Sequence, residues 1–235
     1  MKAFNYLLVF IFVFAVGSCK KNTDSESNCH IIVVTPSSGD PVNFYYNSDD
    51  KFETIKAGGD IASFAYNDDS VIVTQIKNNT FYQKRRYKIN GNGLPLNLRT
   101  EYDITGNSWA NMLYEYNGTE LIKLTITTSS SGASLINRYY WNSGNLDSIT
   151  DGTNTLSYEY YTDEAYRIGD AHYLVTMNPG DGMQTIHTSN MLKSEKHISP
   201  AGSYTLNYNY VFDSEGKVTT VDENGTTYGL QYQCR

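Results

Sequence analysis

The sequence reads as an all-β protein, an antiparallel meander of β-hairpins curled into a barrel-like sheet. Three observations predict this. Tyr is the most conspicuous residue, at 21 in a chain of 235, with Thr, Asn, Ser and Gly abundant beside it; aromatic and β-branched side chains suit a pleated, half-buried surface, and Asn and Gly suit tight turns. Apolar and polar residues alternate with period 2 around Asn90-Gly91, Asn92-Gly93, Asn117-Gly118, Asp151-Gly152, Asp181-Gly182 and Asn224-Gly225. Such pairs tolerate the positive φ of a type I′ turn and therefore join neighbouring strands. Third, one phrase returns along the chain about every twenty to thirty residues until its last copy, the length of a hairpin and its link to the next.

The chain begins with a segment that is removed rather than folded. Residues 1–18 have a basic start at Lys2, an apolar run from Tyr6 to Val16 and a small-residue exit through Gly17 and Ser18, the three parts of a secretory signal. A membrane-spanning helix needs about twenty apolar residues, and this run is too short. Val16-Gly17-Ser18-Cys19 resembles the bacterial lipobox, which implies that Cys19 is lipidated after cleavage. One acyl chain holds a protein only marginally, with about 0.8 kcal/mol per buried methylene, so several chains make a lasting anchor. Residues 19–28 are polar, lack aromatic side chains and cannot bury enough apolar surface to order themselves, so they read as a lipidated flexible tether. Lys20 follows the cysteine where Asp would retain a lipoprotein at the inner membrane, which places the protein at the outer membrane, lipid-anchored, with its domain on the periplasmic or cell-surface face.

Residues 29–235 form the β-hairpin repeat domain. Its phrase is clearest at Tyr114-Glu115-Tyr116-Asn117-Gly118 running into Leu121 and Leu124, at Tyr139-Tyr140-Trp141-Asn142-Ser143-Gly144 running into Leu146 and Ile149, and at Tyr208-Asn209-Tyr210 running through Asp213 and Gly216 into Val218 and Val221. Weaker copies span Phe44 to Ile55, Phe64 to Val73 and Arg85 to Leu98. The phrase is absent between Asp163 and Gly202, so about 163–202 is expected to be an irregular crossover. It turns at Asn178-Pro179-Gly180-Asp181-Gly182 and carries His172, His187, His197, Met177, Met183 and Met191. Two roles suit it: apolar residues plugging an open end of the sheet, or a cap that contacts a ligand.

Of three cysteines, the lipid consumes Cys19. Cys29 and Cys234 remain, one at each end of the folded region, and an even pair in an oxidising compartment is a disulfide candidate. Their bridge would bring the first and last strands together.

The repeated phrase, aromatic-x-aromatic-Asn/Asp, a short turn with Gly, then Leu/Val-x-Ser/Thr-Ile/Val, resembles the YD or Rhs repeat of bacterial surface and toxin-shell proteins. It is also similar to a domain-of-unknown-function family of bacterial lipoproteins built from such hairpins. The resemblance runs from about Val42 to Cys234. It implies a β-hairpin fold and an envelope address, and no activity.

The sequence offers little to catalysis. No His-x-x-x-His, Cys-x-x-Cys or calcium-loop pattern is present, Gly-x-Ser-x-Gly is absent, and no glycine-rich loop opens a helix. Asp49-Asp50 and Asp68-Asp69 read as solvated turn acids, and Glu101, Glu115 and Glu159 as acids on strand surfaces. The formal net charge of −7 makes nucleic acid an unsuitable partner, and the cluster Lys84-Arg85-Arg86 with Lys88 reads as one face of a strand. No enzyme, cofactor or metal is expected. The expected function is a non-catalytic lipoprotein that binds glycan or protein, with Trp109 and Trp141 as candidate ligand contacts because amphipathic rings stack on sugars and on apolar partner surfaces. The other reading is a structural or assembly scaffold of the outer membrane with no small ligand.

Overall fold

The structure is a computed structural model in which residues 29–176 and 183–234 are described. The signal segment, Cys19, the tether, Met177 and the Asn178-to-Gly182 turn lie outside them. Sixteen strands follow in order: β1 Cys29–Pro36, β2 Val42–Tyr46, β3 Phe52–Ala57, β4 Asp60–Asn67, β5 Ser70–Lys77, β6 Thr80–Ile89, β7 Pro95–Glu101 and β8 Trp109–Asn117; then β9 Glu120–Thr128, β10 Ser131–Asn142, β11 Asn145–Thr150, β12 Thr155–Ala165, β13 Asn190–Ser199, β14 Gly202–Phe212, β15 Val218–Glu223 and β16 Thr226–Cys234. One short helix, α1 Ala171–Thr176, lies between β12 and β13. Each strand pairs antiparallel with its neighbours in sequence, and β16 pairs with β1 from Cys29↔Cys234 to Pro36↔Tyr228, closing the barrel. Cys29 and Cys234 form a disulfide. Closure leaves no edge strand in the sheet.

The predicted phrase is the hairpin. Its six copies are β2–β3, β4–β5, β6–β7, β8–β9, β10–β11 and β14–β15. The Asn or Asp after the last aromatic or aliphatic residue caps the turn in three of them. Asn47 Oδ1 accepts the amides of Asp49 and Lys51, Asn90 Oδ1 those of Asn92 and Leu94, and Asp213 Oδ1 those of Glu215 and Lys217. This side-chain mimicry of a backbone turn is why Asn and Asp recur there. Shorter turns use paired positive φ, as at Asn224-Gly225 with 49° and 90°. A register shift recurs just before the turn, at Tyr45/Tyr46, Glu115/Tyr116, Tyr140/Trp141 and Val211/Phe212. Each is an added residue that bends its strand and increases twist, as closure requires.

Alternation sorts the side chains between two faces of the wall. Inward positions include Ile55, Ala62, Val71, Val73, Leu98 and Tyr114, all buried in one apolar cluster. Outward positions include Lys56, Arg86, Arg138, Asp147, Lys193 and Gln231, all exposed. Outward rings are met by cations: Lys56 Nζ lies 5.1 Å from the centroid of Tyr45 and Lys77 Nζ 5.7 Å from that of Tyr82. The cluster at Lys84 to Lys88 is divided by the same alternation. Arg86 reaches Glu101 on the outer face at 3.6 Å, while Tyr87, one step on, is buried inside.

The irregular segment is shorter than expected. The interval 163–202 was predicted to be crossover, yet β12 continues to Ala165 and β13 occupies Asn190–Ser199, paired on both sides. Among the described residues, 166–176 and 183–189 leave the wall. Asn190 to Ser199 lacks aromatic residues, so it does not carry the phrase, but Met191, Leu192 and Ser194 are buried and its backbone is paired like that of any other strand.

Candidate ligand-binding mouth

An up-and-down barrel has two ends. The disulfide, both ends of the described chain and the turns after β2, β4, β6, β8, β10 and β14 lie at one, here the clasp end. The turns after β1, β3, β5, β7, β9, β11, β13 and β15 lie at the other, the mouth.

The crossover leaves the wall at the clasp end and fills the lumen. Arg167 donates to the Gly216 carbonyl, and Tyr232 donates to the Ile168 carbonyl at 3.0 Å. Gly169, at φ +97°, sits where an added Cβ would lie 2.7 Å from Leu230 and 2.8 Å from the Tyr232 hydroxyl, so only glycine fits. Asp170 is fully buried. Its carboxylate accepts the Leu192 amide at 2.7 Å, the His172 amide at 2.9 Å and the Tyr210 hydroxyl at 3.1 Å. Burial pushes the Asp170 carboxyl up, and these donors oppose the shift.

His172 Nε2 lies 3.1 Å from the Tyr160 hydroxyl, and burial lowers its pKa to about 4. Tyr173 bonds to Tyr46 on β2, across the lumen from β12 and β13. Buried tyrosines line this interior, and desolvation raises the phenols of Tyr158, Tyr160 and Tyr210. Several of their hydroxyls donate to backbone carbonyls, as Tyr160 to Leu146 at 2.9 Å and Tyr46 to Ile31 at 2.8 Å. Tyr thus supplies both filling volume and a hydrogen bond to the strand or segment opposite.

Cavities lie beside the described residues of the plug. The first, of about 220 Å³, is walled by Val34, Phe44, Val221 and the α1 residues Ala171, Leu174 and Val175. Its polar corner holds Glu223, whose carboxylate accepts the hydroxyls of Tyr208 at 3.4 Å and Tyr228 at 3.1 Å. Glu195 lies near enough to feel the charge of Glu223; burial raises its carboxyl, and His197 beside it opposes that shift. The His197 ring stacks on Tyr204 with centroids 4.3 Å apart. The second cavity, of about 250 Å³, is bordered by Arg85, Leu98, Thr100, Tyr114, Met183 and other residues of β6 to β8.

The sequence-predicted residues take separate places. Trp109 is at the mouth end of β8, with the Arg99 guanidinium 5.0 Å from its ring centroid. Trp141 is near the clasp end of β10 and donates Nε1–H to the Leu121 carbonyl at 2.8 Å, so the two rings share no surface. Glu101, Glu115 and Glu159 pair on the outer wall with Arg99, Lys123 and Lys193 at 3.2, 2.7 and 3.8 Å. His172 is in the plug, and His197 is beside Glu195. Among the described residues no group of three His, Cys, Asp or Glu side chains converges as a metal site.

Sequence reasoning missed Glu195 and Glu223. Their signal was register: Glu223 continues the inward series of Val221, and Tyr204, Tyr208 and Tyr210 share one parity on β14.

No known protein family matches the sequence, and no curated protein is similar to it. Among solved structures, a porin-like protein from Bacteroides uniformis ATCC 8492 superposes with a TM-score of 0.59 at 16% identity, covering 88% of this chain and 96% of that one. A porin-like protein from Bacteroides vulgatus ATCC 8482 gives a TM-score of 0.61 at 15% identity, covering 86% and 98%. The chain therefore shares the closed-barrel fold of these porin-like proteins.

Proposed function

We propose that the protein is a lipid-anchored envelope lipoprotein of the outer membrane. Its barrel stands in water and binds a glycan or protein through the mouth, without catalysis. The observation that carries this reading is the polarity of the wall. A barrel that spans a bilayer turns an apolar band about 25 Å tall outward and is polar within. Here the inner face is mainly apolar and aromatic, with isolated polar groups such as Gln75, Gln83 and Glu223, while the outer face carries Lys, Arg, Asp, Glu and Gln on successive strands. Each exposed Lys or Arg at mid-bilayer costs about 2–4 kcal/mol, so a lipid-facing wall of this composition is untenable. The plugged lumen adds support, because an open conduit has no use for a segment pinned across it.

Lipid on Cys19 completes the geometry. Cys29 is at the clasp end, and the chain from Cys19 to Cys29 reaches at most about 35 Å, so the anchor holds that end near the membrane and leaves the mouth outward. Closure of the sheet removes the strand edge through which a scaffold could pair with a partner.

The test has three parts. Acyl-lipid labelling of cells is expected to mark the chain and to be lost in Cys19→Ser. A chain starting at residue 20, exported on an ordinary cleavable signal, is expected in the aqueous phase without detergent; a detergent requirement would overturn the water-standing barrel. Glycan arrays and pull-down from envelope fractions are expected to return a ligand whose capture falls with Trp109→Ala, at the mouth, and persists with Trp141→Phe; no captured ligand of either kind would sink the binding reading.

A further inference from the structure

Beyond capture of a glycan or protein, we infer that the cavity between α1 and the β1–β2–β15–β16 wall binds a small apolar molecule carrying one cationic amine. It rests on the reading of the mouth as facing water, and not on any macromolecular ligand.

Three observations carry it. The first is size: an apolar cavity of about 150 Å³ already accepts benzene, and this one, at about 220 Å³, has room for a ring with a short side arm. The second is the lining, in which aliphatic and aromatic walls converge on a single charged group, Glu223, the arrangement typical of small-molecule sites.

The third is the state of that charge. Among the described residues Glu223 has no ion-pair partner; two phenolic hydroxyls, of Tyr208 and Tyr228, hold its two oxygens in place. Among the described residues nothing cationic lines the cavity, and His197 is engaged by Glu195 and Tyr204. A carboxylate oriented by hydroxyls at the end of an apolar chamber has lone pairs left for an ammonium, and the phenol faces beside it favour a cation as well. The same carboxylate disfavours an anionic head, such as that of a fatty acid.

Isothermal titration of the purified full chain tests this with three probes of one shape: phenethylamine, 2-phenylethanol and 3-phenylpropanoate. Phenethylamine is expected to bind with a dissociation constant of about 0.1–1 mM. The alcohol is expected to bind at least about tenfold more weakly, as the loss of one charge-assisted contact implies, and the propanoate not to bind measurably. In Glu223→Gln the amine falls to the level of the alcohol.

The Val175→Trp variant, at a position on α1 that is 65% exposed, closes the chamber without burdening the fold and is expected to abolish binding of every probe. The inference is overturned if the propanoate or the alcohol binds as tightly as the amine, if Glu223→Gln leaves amine binding unchanged, or if no amine binds up to 10-fold above the expected range. Capture of a glycan or protein without amine binding would leave the proposed function standing and remove this site alone.

Discussion

On β8 and β9 one residue step separates two environments. Ala110, Met112, Tyr114 and Tyr116 face the lumen, Ala110 buried and the other three packed in or against the apolar cluster, while Asn111, Leu113 and Glu115 face outward, with Glu115 paired to Lys123 at 2.7 Å. The inner set removes apolar surface from water at about 25 cal/mol per Å². The outer set contributes little, since an exposed ion pair is worth about 0–1 kcal/mol. The difference teaches that cohesion resides on the inner face and in the plug it surrounds, whereas the outer face states which solvent the wall meets.

The sharpest way to break this comparison is to place the same charge one residue apart. Val73 is buried inside and Thr74 lies on the outer face opposite Lys84. Val73→Asp is expected to prevent folding, since an unpaired buried carboxylate costs many kcal/mol, whereas Thr74→Asp is expected to change stability by no more than about 0.5 kcal/mol in urea unfolding. Equal effects would refute the assignment of faces.

Next in size is the clasp. Replacing Cys29→Ser removes a bridge between residues separated by 205 positions, which in the chain-entropy model costs about 5 kcal/mol; the urea midpoint of the oxidised protein is expected to fall to that of the reduced one. Asp170→Ala leaves the Leu192 and His172 amides without their acceptor and is expected to cost about 3 kcal/mol. That loss would show the plug to be part of the inner face's cohesion, and a neutral result would mean that the plug is a passenger.

His172 gives a pH-dependent measure of the same packing. Its pKa is about 4 in the folded protein against an ordinary value near 6.5, so the unfolded chain takes up the proton first as pH falls. Its contribution is complete above pH 6.5 and is lost between pH 6.5 and 4, up to about 3 kcal/mol. Asp170, whose carboxyl is raised by burial, acts in the opposite sense, with stability declining as pH rises above its ordinary value near 3.8. The difference between the native and His172→Gln stability profiles isolates the histidine and is expected to slope only in that window. Smallest of all, Lys123→Ala is expected to cost less than about 1 kcal/mol, and less in high salt.

Much of the fold was legible locally. The phrase at Tyr114, Tyr139 and Tyr208 combines turn chemistry with period-2 alternation, and both are encoded within a dozen residues, so even the weaker copies at Phe44, Phe64 and Arg85 became hairpins. β13 was not legible because Asn190 to Ser199 mixes Met, Leu, Lys and His and shares no turn with β12; its pairing is imposed by neighbours on both sides. The mouth was hidden for a related reason. Glu195, Tyr208, Glu223 and Tyr228 come from four consecutive strands and are ordinary strand residues until closure sets their parity, while Trp109 and Trp141, conspicuous in sequence, are held apart at opposite ends of the barrel.

The sequence by itself determined the hairpins, their turns, their order and the even pair of cysteines at the ends, because each depends on local backbone preference and on counting. Only the tertiary structure decided which of two alternating faces turned inward, that sixteen strands closed without an edge, and that Asp170, Ala171 and His172 entered the lumen. Those outcomes follow from packing between residues far apart in the chain. Aromatic volume and a buried Asp170 find their partners only once β1 and β16 have met.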